Sequence, residues 1–286
     1  MSLTLMYITN NIQNAQIAQD AGVDRIWIDM EYIGKDLRQG GMDTVQNHHF
    51  IEDIKKIRPI VTKSELLVRI NPIHDATSEY GASEEEIEQT IEAGADVIML
   101  PYFKTPEEVS RFITCVNGRA KTQILVETAE AVERLQEILA IPGIDEVHVG
   151  LNDLHLAYKQ DFMFELLCDG TVKQICEKAQ DAGIKFGFGG VARVGYGMLP
   201  AEYIIAEHYR LGSTAAILSR GFCDANRVEN TMDVRDEFIE GVKNIRIKEK
   251  EVCGYTAEQY ADNYRIMEDI VKKIVSEKRE AYAHNL

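Results

Sequence analysis

A (β/α)8 TIM-type barrel with an additional C-terminal helical segment is the fold this sequence predicts, on three observations. Eight short, β-rich apolar runs alternate with longer amphipathic stretches, as parallel strands do when helical crossovers join them. The eight units fill about 240 of the 286 residues, the span such a barrel needs. Helix punctuation recurs at matching phase, with capping boxes before helices and glycines after them.

The runs lie at 3–8, 25–30, 65–70, 96–100, 122–126, 146–149, 184–188 and 215–218. Each is mixed or apolar and not cleanly alternating, as expected of strands covered on both faces. Ser83-Glu84-Glu85-Glu86 and Thr105-Pro106-Glu107-Glu108 read as capping boxes, the second with proline at the first helical position. Gly22, Gly94 and Gly183 each follow an expected helix end and lead into a strand, as left-handed caps do. The stretch between Glu31 and His49 has no clear periodicity and suits an active-site loop after the second strand. Composition divides the chain into a barrel domain, 1–239, and a charged helical extension, 240–286. In the extension, Tyr260, Tyr264, Met267 and Val271 form an apolar stripe suited to packing on the barrel or on a neighbouring subunit.

With 45% hydrophobic and 27% charged residues the composition is globular, and 31 basic against 47 acidic side chains leave a net charge of −16. Such a surface repels nucleic-acid phosphates and anionic lipid headgroups, which excludes general polyanion binding. No apolar run reaches the roughly 18 residues that cross a bilayer, and the first residues lack the basic flank of a secretory signal. The expectation is a soluble cytoplasmic protein that binds neither membranes nor nucleic acid. Five cysteines without a C-x-x-C pair argue against a disulfide framework or zinc knuckle.

In a barrel the working groups sit at strand C-termini and in the loops that follow. The polar residues there are Asp29, Glu31, Arg69, Asn71, Glu127, Asp153 and Arg220. Glu127 and Asp153 follow adjacent strands. Two close carboxylates suit a hard divalent cation, Mg²⁺ or Mn²⁺ foremost with other divalent ions possible, completed by water and substrate oxygens. Helix capping is the alternative, since Thr128 and Asp153 are both good caps.

Five segments then carry a resemblance: Trp27-Ile28-Asp29-Met30-Glu31, Val68-Arg69-Ile70-Asn71-Pro72, Gly94-Ala95-Asp96-Val97-Ile98-Met99-Leu100-Pro101, Val126-Glu127-Thr128-Ala129-Glu130-Ala131-Val132 and Gly150-Leu151-Asn152-Asp153-Leu154. In shared order and spacing they resemble the HpcH/HpaI aldolase family, metal-dependent pyruvate aldolases related to the citrate lyase beta subunit and malyl-CoA lyase. The resemblance implies that Glu127 and Asp153 are metal ligands and that Arg69 contacts the keto or enolate oxygen of a small 2-oxo acid or related carboxylate. It also implies a homo-oligomer, a trimer or hexamer, with contacts from the C-terminal extension.

The sequence departs from the family at Tyr32, where the aldolases usually carry a histidine for acid–base catalysis. A phenol with an ordinary pKa near 10 is a poor base at neutral pH. The citrate-lyase-like relatives also lack that histidine and place acidic residues at this strand end. Proton transfer therefore points to Asp29, Glu31, Tyr32 itself, metal-bound water or the loop pair His48 and His49. His148 and His155 read as structural. Gly187-Phe188-Gly189-Gly190-Val191-Ala192 formally matches a dinucleotide fingerprint, but its late position and the absence of a following helix argue instead for a loop that approaches substrate. The leading expectation is a divalent-metal-dependent carbon–carbon lyase. The alternative is a ligand- or metal-binding barrel that has lost aldolase activity. A third reading, a phosphate- or flavin-binding barrel, rests on the glycine run and Arg220 alone.

Overall fold

The computed structural model describes residues 2–35, 49–219, 222–223 and 231–284. Eight parallel strands close into a barrel in sequence order: β1 (Thr4–Ile8), β2 (Arg25–Asp29), β3 (Glu65–Arg69), β4 (Val97–Leu100), β5 (Lys121–Val126), β6 (Glu146–Val149), β7 (Lys185–Val191) and β8 (Ala215–Leu218). The barrel helices are α1 (Ile12–Asp20), α2 (Ile51–Ile57), α3 (Ser83–Glu92), α4 (Pro106–Val116), α5 (Ala129–Glu133), α6 (Leu135–Leu139), α7 (Leu151–Ala157), α8 (Glu165–Cys168), α9 (Thr171–Asp181), α10 (Ala201–Leu211) and α11 (Thr231–Val252). A long closing helix, α12 (Ala257–His284), packs on α10 and α8.

The punctuation explains most helix ends. Thr105 caps α4 in a full capping box, and Gly22, Gly94 and Gly183 adopt positive φ where their helices turn back into strands. The box expected at Ser83 does not form. Ala82 holds the cap position, Ser83 Oγ accepts from the His74 N–H at 2.8 Å, and Glu86 reaches across to Asn71. The glycine run is also strand and not loop, because β7 continues to Val191 with a register irregularity between Gly187 and Gly190. Helix α11 runs unbroken across position 240, burying Phe238 and Val242 on either side of it. In α12, Met267 and Val271 are buried and Tyr264 packs against the core, so the stripe faces the protein's own barrel.

Strand tilt places inward residues of alternate strands on shared levels, a consequence of the ladder register around the barrel. At the N-terminal end Arg25 and Glu146 share a level and meet across the axis at 2.5 and 2.7 Å, with Glu65 on the same guanidinium at 2.8 Å. Next come Met6, Leu67, Gln123 and Gly187, then Trp27, Met99, His148 and Ile217, then Ile8, Arg69 and Leu125, with Gly190 of β7 beside Ile217 after the register irregularity. Outward-facing valines, isoleucines and phenylalanines form the larger core beneath the helices. The interior is thus plugged by an ion pair at one end and polar at the other, where the site lies.

Candidate active site

Asp29 ends β2 directly opposite Arg69 at the end of β3, because their Cα atoms are register partners. The guanidinium binds Asp29 through both carboxylate oxygens, Nε to Oδ1 at 2.7 Å and Nη2 to Oδ2 at 2.8 Å, and Nη1 lies 3.2 Å from Glu31 Oε2. Burial, the largest influence, pulls the Arg69 pKa down, yet Asp29, Glu31 and Glu127 together hold it well above its usual value. Beneath it the Arg69 Cζ sits 5.2 Å from the Trp27 ring centroid, a cation–π contact.

Lys35 completes the cluster. Its Nζ lies 3.3 Å from Asp29 Oδ2 and 3.4 Å from Glu31 Oε2, and all three side chains are buried. Two carboxylates are therefore matched by two cations, the arrangement in which buried charge is tolerated. Sequence reading missed Lys35; its signal was the four-residue spacing from Glu31. His49 Nδ1 accepts the Asp29 backbone N–H at 3.0 Å, which assigns the ring N–H to Nε2 and makes this histidine a support for the β2 end. Asn71 Oδ1 accepts the Tyr32 and Ile33 amides at 2.9 and 3.0 Å, while its own amide nitrogen donates to Glu86 at 2.8 Å. Tyr32 is 45% exposed. Burial of part of its ring and the nearby Glu86 push the phenol above its ordinary pKa of 10, which makes it a proton donor and a poor base.

Across the mouth, Glu127 follows β5 and is buried; its Oε1 accepts the Tyr102 N–H at 2.9 Å. A Cβ at position 150 would lie 2.7 Å from Glu127 Oε2 and 2.8 Å from Glu127 Cβ, so glycine is required there. Gly150 then starts α7, and Asp153 lies in the first turn of that helix, where the dipole favours a carboxylate. Thr128 does cap its helix, accepting the Ala131 N–H at 3.1 Å, whereas α7 has Gly150 and not Asp153 at its cap. Both acids are buried, Glu127 against Gly150 and Asp153 three residues beyond it in the helix. Among the described residues no three His, Cys, Asp or Glu side chains converge on one point, so a cation here would take two protein carboxylates and draw its other ligands from water and substrate. The donor chemistry fits a hard divalent ion.

The remaining sequence candidates separate. His155 Nδ1 bonds the Leu151 carbonyl at 3.1 Å within α7, a structural role. His148 is fully buried in β6. His48 and Arg220 lie outside the described residues.

A closed parallel barrel with a carboxylate-clamped arginine and two buried acids at its C-terminal mouth has the architecture of a (β/α)8 enzyme. More particularly, the HpcH/HpaI aldolase/citrate lyase profile matches residues 3–191, and the chain belongs to that family, whose activity is of aldolase or lyase type. No curated protein matches it. Among solved structures it is similar to an HpcH/HpaI aldolase/citrate lyase family protein from Burkholderia cenocepacia J2315, at 16% identity and TM-score 0.59, covering 76% of this chain and 88% of that one. It is similar also to the HpcH/HpaI aldolase from Desulfitobacterium hafniense DCB-2, at 15% identity and TM-score 0.58, covering 86% and 93%. Citrate synthase SbnG, at 15% identity and TM-score 0.57, covers 77% and 87%. At these identities the likeness is one of fold.

Proposed function

We propose that this protein is a divalent-metal-dependent carbon–carbon lyase acting on a small 2-oxo acid or related carboxylate through an enolate. The observation that carries the reading is Arg69. Its guanidinium is clamped by Asp29 and Glu31, largely buried at 12% side-chain exposure, and close enough to Glu127 to feel its charge.

Aldolases of this family generally depend on a divalent metal. Glu127 and Asp153 would hold Mg²⁺ or Mn²⁺ here, and the bound cation would supply Lewis-acid stabilisation of charge on a substrate oxygen. Arg69 presents fixed N–H donors to that same oxygen as negative charge develops, with little reorganisation because Asp29, Glu31 and Lys35 hold the guanidinium in place. The Trp27 ring lies under the guanidinium and supports it from below. Tyr32 lends a protonated hydroxyl at the rim.

The substrate is small and carboxylate-bearing; a net charge of −16 disfavours nucleic acid and anionic lipid as partners. Among the described residues no helix is long and apolar enough to cross a membrane. A cytoplasmic location is a separate part of the proposal. A trimer or hexamer with contacts from 240–286 is part of the proposal. The second reading, a barrel that binds ligand without turnover, is favoured by one observation, the raised pKa of Tyr32 where the aldolases have an imidazole.

The test is incubation of Mg²⁺- or Mn²⁺-loaded protein with a panel of 4-hydroxy-2-oxo acids, with release of the shorter 2-oxo acid measured. Metal-dependent release abolished by chelator is expected; saturable binding without release would select the second reading.

A further inference from the structure

We propose that the barrel axis contains a closed site for ordered water bounded by Trp27, Gln123 and His148, and that His148 acts through it as a positioning residue for Arg69. The second part rests on the substrate-binding role of Arg69 proposed above.

Trp27 and His148 share one level of the interior on opposite strands, and Gln123 lies on the level directly below. All three are buried, at 1%, 0% and 0% exposure. Gln123 Nε2 is committed to Glu146 Oε2 at 2.9 Å. Its Oε1, the Trp27 Nε1–H and both ring nitrogens of His148 have no protein hydrogen-bond partner among the described residues. Burial, aided by the positive charge of Arg25, pushes the His148 pKa down to about 3, so the ring is neutral and offers one donor and one acceptor.

The unmet atoms are thus two donors and two acceptors around one axis. Leaving each unmade would cost about 1–3 kcal/mol. Water answers both kinds, since a buried molecule typically makes about three hydrogen bonds to such groups. On β7, Gly187 and Gly190, the register partners of Ala215 and Ile217, add no side chains to the interior around His148. Below, the Arg25–Glu146 pair closes the axis; above, Arg69 lies over the Trp27 ring. His208 Nε2, also buried without a partner, lies on α10 in the helical layer outside the barrel. Water bonded to Trp27 Nε1 fixes the rotation of the indole, and the indole is the surface on which the Arg69 guanidinium rests.

Trp27 is the only tryptophan in the chain, so its indole gives one ¹⁵N–¹H resonance. The experiment measures the nuclear Overhauser effect between that Hε1 and water in the whole protein. A direct, slowly tumbling water cross-peak is expected in wild type, lost in His148→Leu and kept in His148→Gln, which retains a donor and an acceptor. On substrate, kcat/KM should fall about tenfold in His148→Leu and stay within about twofold of wild type in His148→Gln. If His148→Leu does not fold, Gln123→Leu makes the same comparison. A wild-type indole with no water cross-peak, or one unchanged by both leucine variants, overturns the water site. A leucine variant that loses the cross-peak but keeps full kcat/KM overturns the positioning role. The cross-peak is read without turnover, so an inactive protein that shows it would refute the lyase reading and leave the water site standing.

Discussion

Asp29 grips Arg69 in a bidentate pair, 2.7 and 2.8 Å long, across adjacent strand ends of β2 and β3. That geometry needs a planar fork, and it sets the direction of the N–H groups left for substrate. Lysine in place of Arg69 would keep the charge but neither the fork nor the direction. Arg69→Lys should therefore lower kcat/KM by at least about 100-fold, the cost of removing a pre-oriented oxyanion donor. Steady-state kinetics check this, with circular dichroism to verify folding.

Lys35 balances the second carboxylate of the cluster. Lys35→Met leaves Asp29 and Glu31 facing one guanidinium in a buried setting, which should destabilise the fold by about 3 kcal/mol. Urea denaturation measures it. Glu31→Gln combined with Lys35→Met restores charge balance and should recover part of the loss, whereas additive losses would show that the two side chains do not interact.

Glu127, packed against Gly150, and Asp153, in the first turn of α7, are the only protein ligands proposed for the cation. Changes one shell further out already cost metalloproteins about 10–100-fold in metal affinity, so Glu127→Ala and Asp153→Ala should each exceed the upper figure. Calorimetric titration with Mn²⁺ reads it. A wild-type isotherm from Glu127→Ala would remove that residue from the site.

Burial holds both His148 and His208 at a pKa of about 3, well below the value of 6.5 expected when unfolded. The unfolded chain then binds more protons between these values, so stability is full above about pH 6.5 and declines as the pH falls below it. Each histidine contributes a slope of at most about 1.4 kcal/mol per pH unit. The denaturation midpoint should drop between pH 7 and pH 5, and His148→Gln should flatten the decline.

The strands were legible because eight covered parallel strands impose near-continuous apolar runs, and the glycine caps Gly22, Gly94 and Gly183 fixed where β2, β4 and β7 began. What the sequence misplaced has local causes. Ser83 looked like a cap, but tertiary contacts to His74 and Asn71 draw Ser83 and Glu86 elsewhere. The residues after Phe188 looked like a loop, yet β7 continues through Gly189 and Gly190 to Val191, while Gly187 makes a close approach to Ala215 of β8. In the site, Asp29, Glu31 and Arg69 were readable as strand-end residues. Lys35 was passed over because it lies in the aperiodic stretch after β2, where its four-residue spacing from Glu31 does not stand out as a helical pair.

The central claim is that Arg69, with a cation on Glu127 and Asp153, stabilises an enolate. Enolisation is measured most directly by incubating the metal-loaded protein with pyruvate in D₂O and following the methyl protons by NMR. Steady, chelator-sensitive loss of the methyl signal, suppressed by Arg69→Lys, is expected. Pyruvate that keeps its methyl protons in the presence of a saturating metal-loaded protein would contradict it.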